Sequence, residues 1–253
     1  MGIHIPSPVV AERMKAAVRT NFDDSVSAYD AYEQRTGRFT ALAKLLAAEL
    51  SARADSPVNA VLDAGAGTGV STRVFAERAQ RTVALDISRE MLRELKAAPR
   101  IEADFDHLPF VDNSFDGVAF TASLFLVPDP AVAAREAARV LRPDGVVGAV
   151  APLGWVDADG TDVFADLEQE SRSPTGTDAV EAALANEFTV TTGTWCFATT
   201  AEDVRRFHAI PAMAARLYPK LTVDERVTKA RALLAGLEGT VEQRWRWIVG
   251  VAE

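Results

Sequence analysis

Three acids and three glycines in the first half of the chain are spaced in a way that could hold a ligand. Asp63 ends an apolar run in VLDAGAGTGVSTRVF (61–75), and Gly65, Gly67 and Gly69 follow with small residues between them. Asp86 ends a second apolar run in VALDIS, and Asp104 follows a third in ADFDHLPF. Glycines directly after a strand let something approach the backbone closely. Phosphate is a common visitor to such loops, but both phosphate patterns fail here. The dinucleotide fingerprint is G-x-G-x-x-G, and the last interval is one residue short. The triphosphate-binding loop needs Lys-Ser or Lys-Thr after its last glycine, and neither follows. A carboxylate at position 63 would repel a pyrophosphate and favour an ammonium, such as the amino group of an amino-acid ligand.

The elements that must position these residues begin at residue 58. Short apolar runs NAVLDA, RTVALDI, RIEAD, FDGVAFTA and GVVGAVAP alternate with amphipathic segments VSTRVFAERA, SREMLRELKAA and DPAVAAREAARVL. Strands of near-continuous Val, Ala and Leu separated by helices predict an α/β fold whose mostly parallel sheet is buried on both faces. Right-handed crossovers make such a sheet doubly wound. RPDG (142–145) predicts a turn before the last of these strands. Upstream, 9–20, 24–35 and RFTALAKLLAAEL (38–50) predict helices, the last with Phe39, Leu42, Leu45, Leu46 and Leu50 on one side. Downstream, LGWVDADGTDVF is turn-rich, 177–188 is helical and TVTTGTWCFAT (189–199) is a strand. A helical stretch interrupted at Pro211 and Pro219 then leads to a final strand, EQRWRWIVGVAE. Helices between the last two strands form a cap beside the sheet. The expected division is N-terminal helices or a lid at 1–57, a ligand-binding core at 58–151, and the end of the sheet with a helical cap at 152–253.

The chain has 253 residues and a formal net charge of −9, with no basic run, which argues against a nucleic-acid partner. No apolar run approaches the ~20 residues of a membrane span, and the N-terminus has no secretory pattern, so a soluble, cytoplasmic chain is expected. Cys196 is the only cysteine, and the histidines His4, His107 and His208 show no ligand spacing, so no metal site is expected.

Taken in order, these motifs resemble those of class I S-adenosylmethionine-dependent methyltransferases, in the small-molecule branch. VLDAGAGTG resembles their first motif, with Asp63, Ala64, Gly65, Gly67 and Gly69 around the methionine part of the cofactor. Asp86, with Ile87 beside it, matches the acid that binds the ribose hydroxyls. Asp104 matches the acid that accepts from the adenine amino group, with Phe105 at the ring. LPF, SFDGV (114–118) and SLFLVPDPAVAAREAARVLRPDGVV (123–147) look like the stretch into and beyond the fourth strand. Thr121 falls near the expected methyl position. NFDDSVSAYDAYEQR (21–35) resembles the opening of malonyl-acyl-carrier methyl esterases and of quinone C-methyltransferases, where this segment closes over the cofactor. That makes Tyr29 a covering residue and Tyr32 a second candidate; an amphipathic packing helix reads equally well there. The family often carries a histidine in the loop that is SLFLVPD here, and this chain has none.

The resemblance implies S-adenosyl-L-methionine as cofactor and a Rossmann-like fold. It implies methyl transfer by in-line displacement to O, C or N of a small apolar or carboxylate-bearing acceptor. Trp155, Phe164, Trp195, Phe197, Phe207, Met213 and Tyr218 make the cap aromatic enough for an apolar acceptor pocket. His208, the cap's only histidine, is a candidate base. Three other readings remain open at this point: a non-catalytic binding subunit of the same fold, a nicotinamide-dependent oxidoreductase, and an aminopropyl transferase. Oligomeric state is not legible.

Overall fold

The computed structural model describes residues 7–96, 98–165 and 176–252. His4 therefore lies outside the described residues. Three helices open the chain, α1 (Pro8–Asp23), α2 (Val26–Thr36) and α3 (Arg38–Arg53). The alternating core follows as β1 (Ala60–Ala64), α4 (Val70–Ala76), β2 (Arg81–Asp86), α5 (Arg89–Glu94), β3 (Arg100–Glu102), β4 (Phe115–Thr121), α6 (Pro130–Val140) and β5 (Leu141–Val156). The remainder is α7 (Thr177–Ala185), β6 (Thr189–Thr200), α8 (Ala201–His208), α9 (Pro211–Leu217), α10 (Val223–Leu233) and β7 (Thr240–Val251).

The strands form one seven-stranded sheet in the order β3-β2-β1-β4-β5-β7-β6. Strands β1 to β5 pair in parallel, and β7 runs antiparallel to both β5 and β6. All five residues of β1 are buried, as a central strand covered on both faces requires. One face packs against Leu42, Leu46 and Leu50 of α3 and Val74 of α4. The other packs against Ala133, Ala134 and Ala137 of α6 and Val180 and Leu184 of α7. Chain order reverses between β1 and β4, so a crevice opens at their carboxyl ends, where open α/β sheets bind ligands.

The doubly wound sheet, the N-terminal helices and the cap between the last two strands all match the sequence reading, and three local expectations are corrected. RPDG is not a turn that precedes β5. Leu141 pairs with Phe115 while Val146 pairs with Gly117, so these residues bulge out of a strand already begun, with Asp144 at φ 63°. Helix α5 stops at Glu94 rather than near residue 98, because Arg100 takes the carbonyls of Leu92, Arg93 and Leu95 at 2.6–3.2 Å and ends the spiral there. LGWV, expected in a turn, extends β5 to Val156 because β7 pairs with it along that length.

A candidate ligand site at the carboxyl ends of the strands

The glycine loop closes on the end of β2 rather than pointing its amides outward. The N–H groups of Gly65 and Ala66 both donate to the Leu85 carbonyl, at 2.7 and 3.0 Å, and that of Gly69 donates to Ala66. The Gly67 N–H donates to Asp86 Oδ2 at 2.8 Å. These amides are spent, so the loop is no phosphate cradle, and rejection of a phosphate ligand acquires a structural reason. Gly65 has φ 83°, and a Cβ there would lie 2.3 Å from Ser123 Cβ; the Ser123 hydroxyl holds the Ala64 carbonyl at 2.7 Å. Gly69 has φ 87°, and its missing Cβ makes room for Leu95. One glycine thus keeps the crevice open, and the other lets strand and helix approach.

Beside this loop lies a cleft enclosing about 900 Å³, part of it open to solvent. Of the residues expected at the site, Tyr29, Gly65, Gly67, Asp86, Ile87, Asp104, Phe105 and Thr121 line it. Asp63, Ala64 and Gly69 do not; they form the layer beneath.

Asp63 is fully buried. Its Oδ2 accepts from Ser71 and Thr72 hydroxyls at 2.7 and 2.6 Å, and its Oδ1 has no partner. Burial pushes its pKa up to about 6, against the lowering effect of the two hydroxyls. Asp86 holds the loop from both sides, with Ser88 N–H on Oδ1 at 2.8 Å and Gly67 N–H on Oδ2, and burial raises its pKa as well. Asp104 Oδ1 accepts from the Asp106 amide at 2.9 Å.

The N-terminal helices are tied to each of the three ligand-side strand ends. Lys15 of α1 reaches Asp104 at 2.8 Å and Asp106 at 2.5 Å, and those two carboxylates raise its pKa despite partial burial. Arg19 donates to the Ile87 carbonyl at 3.2 Å. Asp23 accepts from the Ser88 hydroxyl at 2.5 Å. Asp30 of α2 accepts from the Thr68 hydroxyl at 2.7 Å. None of α1 is buried, so this helix is held to the cleft rim by polar contacts, with Val18 and Phe22 in the lining.

Aromatic rings wall the other side. Tyr29 stacks on Phe39 with centroids 4.5 Å apart, and burial holds its hydroxyl well above the ordinary phenol pKa, so it stays protonated and is no base. Tyr32 does not line the cleft; it packs edge-on against Phe39 and Phe207 as the amphipathic reading required. Phe207, Met213 and Trp245 complete the wall. The cap aromatics named from sequence mostly serve elsewhere: Trp195 stacks with Trp247, Phe197 lies under Arg38, and Tyr218 sits in a separate cluster.

The candidate base is corrected. His208 is absent from the cleft lining. It is buried among Trp155, Phe164 and Phe207, both ring nitrogens lack partners, and burial drives its pKa down to about 3. Its neighbours make it a neutral core residue. Between about pH 6.5 and 3 the unfolded chain binds a proton there that the native chain refuses, so this site's stability contribution falls as pH falls. His208→Phe is accordingly expected to hold its denaturation midpoint better than the parent between about pH 7 and 5, by about 2 kcal/mol, with ligand binding unchanged. A variant as acid-sensitive as the parent in urea titrations would contradict this.

Sequence reasoning missed Lys15, Phe39 and Trp245, which come from elements outside the motifs, and did not single out Phe22, Ser123 and Phe125 within theirs. One signal is visible only in the backbone. Ala122, in the lining directly after β4, has φ 58°, strained for a residue with a Cβ.

Comparison with known proteins places the glycine loop and the strand ends in a family context. A family model described as a methyltransferase domain matches residues 62–148, from β1 into β5. Over these residues the chain is similar to a methyltransferase domain. A demethylmenaquinone methyltransferase from Corynebacterium urealyticum is 45% identical over 92 residues, 36% of this chain and 40% of its own length. Another protein of that name, from Clavibacter sepedonicus, is 37% identical over 138 residues, 51% of this chain and 55% of its own length. The chain thus matches about half or less of these relatives. The solved YcgJ protein from Bacillus subtilis superposes with a TM-score of 0.53 at 19% identity, over 82% of this chain and 97% of that one. The solved 4+2 cyclase SpnF gives 0.51 at 20% identity, over 83% of this chain and 80% of that one. At such identities the likeness concerns the fold. The matched segment ends within β5, so the cap and the last two strands lie beyond it, as do α1 to α3. Among the described residues no helix is long and apolar enough to cross a membrane, and no cluster of metal-ligating side chains is present.

Proposed function

We propose that this chain is an S-adenosylmethionine-dependent methyltransferase acting on a small molecule. In this reading 1–57 is a lid, 58–151 the cofactor core, and 152–253 the end of the sheet with an acceptor cap. The observation that carries it is the convergence of Gly65, Gly67, Asp86, Asp104 and Thr121 on one cleft inside a methyltransferase domain. The residues fit the cofactor in kind. Asp86 and Asp104 supply carboxylates at neighbouring strand ends, Gly65 leaves the space a side chain would fill, and Thr121 carries a buried hydroxyl without a partner. Asp86 would hold the ribose and Asp104 the adenine amino group. Asp63, from beneath the loop, would favour the positively charged methionine end. The cofactor supplies a methyl group already activated on a sulfonium.

What remains for the protein is alignment and exclusion of water. The aromatic wall excludes water, and α1 and α2 cover the mouth. Tyr29, Thr121 and Ser123 are not ionised, and Asp86 and Asp104 are committed to the cofactor, so the lining offers no free base. The acceptor is therefore a group that ionises or reacts without one, an enol, phenol or amine of suitable pKa. The relatives' name makes a hydroquinone-like acceptor one candidate.

Incubation with methyl-labelled S-adenosylmethionine and a panel of neutral enols, phenols and hydroquinones tests the activity. Protein-dependent label in an organic-extractable product is expected. Cofactor binding without any transfer would favour a non-catalytic role or a different reaction on the same fold, as a cyclase among the structural relatives illustrates.

The pH dependence of cofactor binding follows from Asp63. A cationic ligand end favours its ionised form, and Asp63 titrates near 6. S-adenosylhomocysteine is thus expected to bind about tenfold more tightly at pH 7.5 than at pH 5. Asp63→Asn should flatten that profile. A parent profile without slope in this range would remove Asp63 from cofactor recognition.

A further inference from the structure

The proposed cofactor residues stand on β1, β2 and β3 and at the end of β4. On that reading the acceptor takes the rest of the cleft, beneath Phe39, Phe207, Met213 and Trp245. This part carries no charge. Among the described residues, the charged groups of the lining are Lys15, Asp86 and Asp104 alone. Lys15 is closed between Asp104 and Asp106. Arg38 spends its guanidinium on the Phe197 ring, 4.2 Å away, and Arg216 lies over the Phe125 ring at 5.2 Å; neither lines the cleft.

Two polar atoms of the lining residues are buried without a hydrogen-bond partner, Trp245 Nε1 and Thr121 Oγ1. Trp245 is 1% exposed and Thr121 8%. An orphaned buried donor is uncommon and calls for an explanation, and an indole N–H can only donate. Trp245 stands on β7, outside the matched methyltransferase domain, and Thr121 stands where that domain meets the aromatic wall.

We propose that Trp245 is a specificity-determining residue whose indole N–H donates a hydrogen bond to an oxygen of the acceptor. The acceptor is then a neutral, largely apolar ring compound with a carbonyl, phenolic or enolic oxygen, and Thr121 offers a second hydrogen bond at the cofactor boundary. This narrows the sequence expectation, which admitted a carboxylate-bearing acceptor. A carboxylate would enter an uncharged subsite with no free cation to pair with, at the cost of its hydration. An ammonium would gain from the aromatic faces but would leave the Trp245 donor unpaired.

The test uses the full chain saturated with S-adenosylhomocysteine and four bicyclic probes: 1-tetralone, tetralin, tetralin-1-carboxylate and 1-aminotetralin. Tetralone and tetralin share a ring skeleton and differ in the carbonyl. We expect tetralone to bind about tenfold more tightly than tetralin and more tightly than either charged probe. Trp245→Phe should erase the advantage of tetralone over tetralin while leaving affinity for S-adenosylhomocysteine unchanged. In the unaltered protein, the Trp245 indole N–H resonance should move downfield with tetralone and not with tetralin, a readout that needs no variant to fold. Equal binding of ketone and hydrocarbon overturns the proposal, as does a preference for the acid or the amine, an unmoved indole resonance, or binding of none of the four. Failure of S-adenosylhomocysteine itself to bind is a failure of the functional reading. The same four probes titrated without it then decide the subsite by the same criteria.

Discussion

Replacing Asp86 with Ala is expected to weaken S-adenosylhomocysteine binding by at least about 100-fold. The carboxylate accepts from the Gly67 and Ser88 amides, each at 2.8 Å, and so joins the glycine loop to the start of α5. Hydrogen bonds to a charged group contribute roughly 1.5–3 kcal/mol each, and two are lost before any contact with ribose is counted. The variant should therefore lose some stability as well, which urea titration separates from binding. Asp86→Asn discriminates further. Its amide keeps one acceptor oxygen but turns an N–H₂ toward one of the two backbone donors, so an intermediate loss of about tenfold is expected. An Ala variant that binds within about threefold of the parent would remove Asp86 from the cofactor site.

The second large effect is at Gly65. Gly65→Ala places a methyl group 2.3 Å from Ser123 Cβ and 2.6 Å from its hydroxyl, on a backbone with φ 83°. The left-handed conformation costs about 1–2 kcal/mol for a residue with a Cβ, and overpacking adds about 1–3. A stability loss of about 2–5 kcal/mol follows, with a melting temperature lower by roughly 5–15 °C. Because Ser123 lines the cleft and anchors the β4 loop to β1, its displacement should also cost more than tenfold in cofactor affinity. Gly69→Ala is the control. Its methyl would meet Leu95 Cγ at 2.7 Å on a backbone at φ 87°, but Leu95 does not line the cleft. A similar loss of stability with affinity kept within a few fold is expected. Equal loss of affinity in both variants would mean that the loop senses general strain rather than ligand space.

The contrast between these two glycines shows what the sequence alone could convey. Spacing placed Asp63, Asp86, Asp104 and the glycines at successive strand ends, because period-two and period-3.6 patterns fix which residue ends each element. A parallel sheet then brings such ends together on one edge, whatever the details. The same logic could not say that Asp63 and Gly69 lie under the loop while Gly65 faces the opening, since depth depends on packing by Leu95 and Ser123 from distant segments. The aromatic wall was still less legible. Trp155, Phe207 and Trp245 are all large aromatics, and only the packing of α8 and the place of β7 within the sheet decide that Phe207 and Trp245 face the cleft and Trp155 does not. His208 is the sharpest instance. A lone histidine amid aromatics suggested a base, and burial without a partner makes it a core residue. Lys15 carried no motif at all, and it meets Asp104 because α1 folds back across the strand ends.

The central claim is that the cleft at the β1–β4 switch point binds S-adenosylmethionine. Calorimetric titration with S-adenosylmethionine and S-adenosylhomocysteine, with NADH as the control, tests it most directly. Micromolar binding of both sulfur ligands at one site per chain, lost in Asp86→Ala, with no heat from NADH, is the predicted result. Absence of binding by either sulfur ligand, or tighter binding of NADH, would contradict it.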